Sequence, residues 1–407
     1  MTVISSLHEQ PDTDRVADAR RCRTALFTLF FCTGLAVASW VTRTPAVRDQ
    51  LGVSLAQMGM LMLGISSGAM CGLLSANFMI SRISTRWVAA GGVGLLAVGL
   101  AVVGLGAWSH LLSVTTMGLF MMGFGMGAPE IAINIEGASV ERTLATPVLP
   151  MLHGFFSAGT LCGGLVGIGL AAIAFPASAH FILAALVMLL ALTRTIQALP
   201  KNYGDGHSSS SHDEHSSRAT RVWQDPRLWM IGIVCLAMAM AEGSANDWLP
   251  LLMVDGHGVD AAMSSLIFTG FAAGMTLGRF AGNAIVARSG RGKVIFFSTL
   301  SCIVGISLAV FSDSSLWAGL SVIFWGLGAS LGFPLTISAA GASGAHPDKR
   351  VSFVALIGYL AFLAGPPLLG FVGEHHGLRD ALMIVLVLLA IATVLSPSTR
   401  SLPKASS

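Results

Sequence analysis

Charge is what this sequence lacks. Asp, Glu, Lys and Arg make up 11% of its 407 residues, whereas soluble domains carry about a quarter. With a mean hydropathy of +0.76, that scarcity excludes an ordinary soluble enzyme and a disordered chain alike. Cysteine is also sparse. Cys22 lies in the polar N-terminal stretch, while Cys32, Cys71, Cys162, Cys235 and Cys302 fall inside apolar runs with no CxxC among them. A disulfide framework and a zinc site are therefore not expected. The net charge is only +3, and the basic residues are scattered rather than striped, so nucleic acid is not an expected partner. A phosphate loop is missing as well: Gly292-Lys293 is followed by Val294, and Ala287 stands where the first glycine belongs. No nucleophile, base or metal set is clustered, so no enzyme, metal or cofactor is expected.

What is present is apolar length. Runs recur at 24–43, 55–80, 87–108, 112–137, 151–174 and 178–198, and again at 228–250, 264–287, 293–312, 315–341, 351–373 and 378–396. Each suffices to cross a bilayer as a helix, which satisfies its own backbone there. The expected organisation is a tail at 1–23, six spans over 24–198, a linker at 199–226, six spans over 227–396 and a tail at 397–407. The linker reads His-Ser-Ser-Ser-Ser-His-Asp-Glu-His from His207, a flexible Ser-rich connector more than a metal site. With both tails placed inside, 19 of the 23 Lys and Arg lie on the inner side. Only Arg43, Arg48 and Arg379 lie outside, and Arg279 sits within span 8. This bias predicts cytoplasmic termini in a multi-pass inner-membrane protein. The polar 1–23 stretch runs into the multi-span pattern, so no cleaved signal peptide is expected.

The two halves repeat. Gly64, Gly68 and Gly72 correspond to Gly270, Gly274 and Gly278 at an offset of 206, as do Asn77 to Asn283 and Arg82 to Arg288. Gly123, Gly127 and Pro129 correspond to Gly328, Gly332 and Pro334 at 205, and Gly159 and Gly164 correspond to Gly365 and Gly370 at 206. The predicted fold is all-α: 12 transmembrane helices in two pseudo-symmetric six-helix bundles, the plan of a transporter with a central site. Glycines at i, i+4 and i+8 form one stripe that lets helices approach closely, for packing or for conformational change.

Twelve spans, two repeats and a basic loop after spans 2 and 8 resemble the major facilitator superfamily over residues 24–396. That family's loop carries Asp-Arg-x-Gly-Arg. Here it reads Ser81-Arg82-Ile-Ser84-Thr85-Arg86, then Ala287-Arg288-Ser-Gly290-Arg291. The arginines match and the acid is absent from both copies. Segments 39–49, 130–142, 241–258 and 326–340 are similar to the YbjJ-type inner-membrane proteins of bacteria. Glu130-Ile-Ala-Ile-Asn134 is similar to span 4 of the fucose–proton symporter family, where a glutamate takes part in proton coupling. The resemblance implies a major facilitator fold and alternating-access transport.

Charges in a membrane are costly and tend to face a cavity. Glu130, with Asn134 one turn on, and Glu242, with Asn246 one turn on, are the proton-binding candidates. A carboxyl shielded from water can load and release a proton near neutral pH. Asn134, Asn246, Asp247, Trp40, Phe155, Trp325 and Tyr359 are candidates to contact solute. Arg43 and Asp247 are read as an outer gate pair, or Arg43 as an interfacial residue reaching for water. Arg279 either pairs with a buried acid or snorkels, and His153 reads as an interfacial histidine. Arg82, Arg86, Arg288, Arg291, Glu136 and Glu141 are read as structural charges, the two glutamates as members of ion pairs. The expected partners are protons, the bilayer and a small polar, sugar-like solute, with the chain a monomer. Efflux of an amphipathic or cationic compound is the alternative, and a non-transporting sensor or scaffold is an alternative of another class.

Overall fold

The computed structural model describes residues 10–146, 148–199 and 222–400. Nearly all of the expected linker, with its histidines, and 401–407 of the expected C-terminal tail lie outside these. Among the described residues the chain is helical with no strand, and 12 spans are long and apolar enough to cross a membrane. The first half supplies α1 (Gln10–Leu51), α2 (Leu55–Ile83), α3 (Thr85–Trp108), α4 (Leu112–Leu144), α5 (Leu149–Ala172) and α6 (Ala177–Thr195). The second supplies α7 (Pro226–Leu251), α8 (Ala261–Ser289), α9 (Arg291–Phe311), α10 (Ser315–Ala329), α11 (Gly332–Gly341), α12 (Pro347–His376) and α13 (Leu378–Leu395).

Two of the departures from the expected spans have a local reason. Helix α1 starts at Gln10 rather than near residue 24, so Cys22 lies in a helix, fully buried, and not in a tail. An Ala- and Arg-rich segment carries a helix outside the apolar stretch without needing apolarity. The expected single span at 315–341 is broken into α10 and α11 at Ser330-Leu331. Pro334 is four residues past Ser330, lacks the N–H that Ser330 would receive, and crowds its carbonyl. Pro45 does not break α1 in the same way. The carbonyl it leaves without a partner, that of Val41, accepts from the Thr44 hydroxyl at 3.0 Å.

The repeat is visible in the backbone. Gly52 and Gly258 both turn at positive φ, 64° and 66°. Pro45 and Pro250 are 205 apart, whereas Asp49 and Asp255 are 206 apart. Between Pro250 and Gly258 the second copy carries a π-helical turn, Leu252–Gly256, and a π turn accommodates one extra residue in a helix. The register returns to 205 in the loop after α2, where Ser84-Thr85-Arg86 faces Gly290-Arg291.

The glycine stripes pack helices within each half. A Cβ on Gly72 of α2 would lie 2.6 Å from the Phe124 carbonyl oxygen of α4, and one on Gly123 of α4 would lie 2.7 Å from the Ala69 nitrogen of α2. In the second half, Gly274 of α8 stands against the Ile323 carbonyl of α10 at 2.6 Å, and Gly326 against the Met275 nitrogen at 3.0 Å. Backbones this close leave no room for a side chain, which is how helices associate where hydrophobicity gives no drive.

Contacts divide the chain into two compact units. One holds the described parts of Met1–Trp40, Gly64–Val166 and Phe175–His212; the other holds Val41–Leu63, Gly167–Ala174 and the described parts of Asp213–Ser407. The expected halves thus supply the bulk of each unit, but the end of α1, the start of α2 and the end of α5 group with the second. In that unit Asp225 caps α7, its Oδ1 accepting from the Arg227 N–H at 2.9 Å, and its other oxygen is held by Arg350. Burial pushes the Asp225 carboxyl up, but Arg350 and the cap bonds outweigh it and hold the group below the usual range. The stability this gives is present at neutral pH and lost as pH falls through the depressed value.

Among the non-glycine residues at positive φ, Ser84 has the largest value. Ser84, before α3, sits at φ 78°, ψ 156° with no side-chain cap bond, and its repeat mate Gly290 adopts φ 78°, ψ 150° before α9. That region suits glycine alone, and a side chain there costs about 1–3 kcal/mol. Ser84→Gly is therefore expected to raise the midpoint of thermal unfolding by the equivalent of about 1 kcal/mol, after the extra freedom of glycine in the unfolded chain. A lowered midpoint in a purified-protein melt would contradict this.

Candidate functional site

In the first unit the site is built on α4. Gly123 and Gly127 turn toward α2, while Pro129 is buried against Gly92 of α3. With those faces packed, Glu130 is left exposed and Asn134 half-buried. Helix α4 runs to Leu144, beyond the expected 137, which puts Glu130 about 3 Å past its middle at the helical rise, closer than the sequence reading implied. Among the described residues Glu130 forms no hydrogen bond or ion pair.

In the second unit the acids lie on α7. Glu242 accepts from Arg279 of α8, Nη2 to Oε1, at 3.1 Å. Of the two roles open to Arg279, pairing is the one the structure adopts. Behind Glu242, the Trp325 indole donates to the Ala241 carbonyl at 2.8 Å, and the Cys302 thiol lies 3.6 Å from the Trp325 carbonyl. Asn246 and Asp247 are half-buried, and neither has a partner among the described residues. Across α7, a Cβ on Gly243 would touch Phe362 at 3.1 Å. Phe362 and Tyr359 of α12 both pack on Phe333 of α11, at 6.3 and 5.8 Å between ring centres.

At the far end of this unit the expected Arg43–Asp247 gate is not formed. Arg43 is only 4% exposed, two turns before the end of a helix that continues to Leu51. The ion pair lies further out. Arg48 bonds Asp49 at 3.0 Å through Nη2 and Asp255, in the π turn, through Nη1. Asp49 and Asp255 are repeat mates, so one guanidinium bridges the two copies of one position. Nearby, the Ser265 hydroxyl of α8 donates to the Thr42 carbonyl at 3.1 Å. The Glu374 carboxylate of α12 accepts from the Leu55 and Ala56 N–H groups at 2.8 and 3.3 Å, capping α2. A Cβ on Gly59 would lie 2.6 Å from the Pro366 carbonyl oxygen, and one on Gly370 2.6 Å from that of Leu55. Arg48, Asp255 and Glu374 were not singled out in the sequence, although the Asp49–Asp255 repeat match was there to be read.

The profile of the Major Facilitator Superfamily matches residues 26–350 and, overlapping these, 252–406. The chain belongs to this superfamily. An uncharacterised major facilitator-type transporter of Yersinia pestis is 30% identical over 380 residues, 91% of this chain and 94% of that one. The fold matches the nucleoside transporter NupG with a TM-score of 0.73 at 16% identity, over 93% of this chain and 98% of that one. It matches FucP in the outward conformation with a TM-score of 0.62 at 16% identity, over 93% and 99%. At these identities the structural likeness shows the facilitator fold, and the superfamily is one of solute carriers, not enzymes.

The facilitator loops keep their arginines without the acid. Arg86, at the start of α3, donates to the Ile196 carbonyl at the end of α6 at 2.7 Å. Arg291, at the start of α9, donates to the Thr399 carbonyl beyond α13 at 3.2 Å and to the Ser338 hydroxyl at 3.0 Å. Helix C-termini, with their partial negative charge, thus take the place of the missing carboxylates. Arg82 is exposed, its guanidinium 5.2 Å from the Phe78 ring centre, and Arg288 is exposed. Glu136 accepts a hydrogen bond from the Thr85 hydroxyl, and Glu141 accepts from the Val148 and Leu149 N–H groups at 2.7 and 3.1 Å. Both glutamates thus accept hydrogen bonds within their own unit.

Several aromatic candidates pack rather than present a surface. Trp40 is buried against Phe181 and Trp325 is fully buried, so neither presents a surface in this structure. Phe155 is partly exposed and stacks on Phe27 at 4.5 Å, Tyr359 is half-buried, and His153 is exposed with its ring edge-on to Phe30.

The far-end bridge is testable. Arg48→Glu places an acid between two carboxylates and is expected to cost about 1–3 kcal/mol, the usual worth of a hydrogen bond to a charged group. The double variant Arg48→Glu/Asp255→Arg is expected to recover part of the loss in a thermal melt. A double variant no better than the worse single one would show that the two residues do not act as a pair.

Proposed function

We propose that this chain is a proton-coupled secondary transporter of a small polar solute, working by alternating access in the bacterial inner membrane with both termini cytoplasmic. Glu130 is the proton-binding group. The observation that supports this reading above the others is that Glu130 is accessible and unpaired near the middle of a membrane-spanning helix, whereas intramembrane acids ordinarily have a partner or a function. Glu242 is the second such group, and its bond to Arg279 couples its charge to that arginine: a proton taken up by the carboxylate releases the guanidinium. Asn134 and Asn246 offer donors and acceptors to hydroxyls of the solute. The basic bias toward the linker side supports the orientation. Neighbours titled as a nucleoside transporter and a fucose:proton symporter support a solute of that size and polarity.

Asp247 favours a second reading. A half-buried carboxylate without a counter-ion among the described residues suits a solute that brings its own cation, which would make the protein a carrier of amines. A melt of the purified protein against neutral and cationic solutes distinguishes the two, since a ligand that prefers the folded state raises the midpoint.

Proteoliposomes with an imposed pH gradient and the best-stabilising solute test the proton role. Glu130→Gln is expected to abolish accumulation above equilibrium while leaving solute counterflow in place. Undiminished gradient-driven accumulation in that variant would remove Glu130 from proton coupling.

A further inference from the structure

Five cations gather where α8, α9 and the end of α13 meet. Arg227 donates to the Ser398 carbonyl at 2.9 Å and to that of Arg400 at 2.5 Å, and Arg291 donates to the Thr399 carbonyl. A Cβ on Gly292 would lie 2.5 Å from the Arg400 side chain, so that residue lies against the start of α9. Arg288 and Lys293 are exposed, with no hydrogen bond among the described residues. Carbonyls satisfy donors but do not cancel charge. None of the five makes an ion pair among the described residues. Among the described residues, therefore, no carboxylate compensates the positive charge here, and the acid missing from this facilitator loop is one reason.

An apolar trough of about 240 Å³ leads away from this cluster between α8, α9 and α10. It begins at Ser289 and Val294, beside Arg288 and Lys293, and reaches Gly278. The eleven helical steps from Gly278 to Ser289 span about 16 Å of α8. Ile285 and Phe297, 45% and 65% exposed, stand at its open side, and the buried Val294, Ser298 and Gly328 line it more deeply. Two of the four serines in its wall are already hydrogen-bonded. Ser301 donates to the Phe324 carbonyl and Ser330 to the Leu327 carbonyl, each at 2.7 Å. A polar solute would find no free donor on these two, whereas a hydrocarbon chain loses nothing.

We propose that this trough binds one anionic phospholipid, with an acyl chain along α8 and α9 and the phosphate among Arg288, Arg291 and Lys293. Each half of the lipid meets the chemistry it needs: an open apolar channel and, at its end, cations with no ion-pair partner among the described residues. The inference is independent of the solute and of Glu130.

The test uses the full chain, purified in neutral detergent, with native mass spectrometry and thermal melts. The probes are phosphatidylglycerol, phosphatidylethanolamine and inorganic phosphate. Phosphatidylglycerol is expected to stay bound and to raise the midpoint, the zwitterionic lipid to bind more weakly, and inorganic phosphate to do neither. The double variant Arg288→Ala/Lys293→Ala is expected to weaken phosphatidylglycerol binding by roughly tenfold or more. Ala281→Phe fills the trough without touching the charges and is expected to weaken it too, with Ile285→Trp as the substitute if that variant does not fold. Equal binding of the two lipids, or unchanged phosphatidylglycerol binding in the charge variant, would overturn the proposal. Stabilisation by inorganic phosphate equal to that by the lipid would reduce the site to a simple anion site.

Discussion

Close approach of helix backbones through glycine is the constraint on which the rest of the structure depends. In lipid, apolar side chains gain little by leaving the solvent, so helices associate through tight packing. Gly72 and Gly123 bring α2 and α4 to near-backbone distance, and Gly274 and Gly326 do the same for α8 and α10. Once one face of α4 is committed to α2 and the next, through Pro129 and Gly92, to α3, the remaining face is fixed. Glu130 is exposed because the small residues around it are not.

The few charges divide by what they meet. Those at helix ends meet backbone: Arg86 and Arg291 hold C-terminal carbonyls, while Glu141 and Glu374 cap N-termini. Each uses the partial charge of an unfinished helix as a counter-ion. Inside the spans the acids on α4 and α7 differ in what they meet. Glu242 has Arg279, while Glu130 and Asp247 have no partner among the described residues. A protein that can spare so few charges leaves two acids uncompensated, and this contrast directs the functional reading to them.

The internal repeat is kept where packing needs it and broken where one copy does something different. The π turn at Leu252–Gly256 takes up one extra residue and presents Asp255 to Arg48 beside its own repeat mate, Asp49. Pro129 leaves α4 continuous, yet Pro334 ends α10 and starts α11. Ser84 keeps the backbone of Gly290 without being glycine. Duplication thus supplied two copies of one bundle plan, and single-residue departures made them unlike.

Much of this was legible from residue order alone. Span number, the repeat, the glycine stripes and the acids on spans 4 and 7 follow from periodicity and from the cost of charge in lipid, both local properties. The superfamily, too, could be seen in the loops after spans 2 and 8. Partner choice was decided only by the tertiary structure. Sequence placed Arg43 near Asp247, but α1 runs two turns further and Arg48 meets Asp255 instead. It offered Trp40 and Trp325 as solute contacts, but packing buries both. It left Arg279 undecided until α8 brought it within 3.1 Å of Glu242. Composition and period state what each helix must hide, whereas the rotation and length of each helix settle which side chains come face to face, and those are set by neighbours far away in the chain.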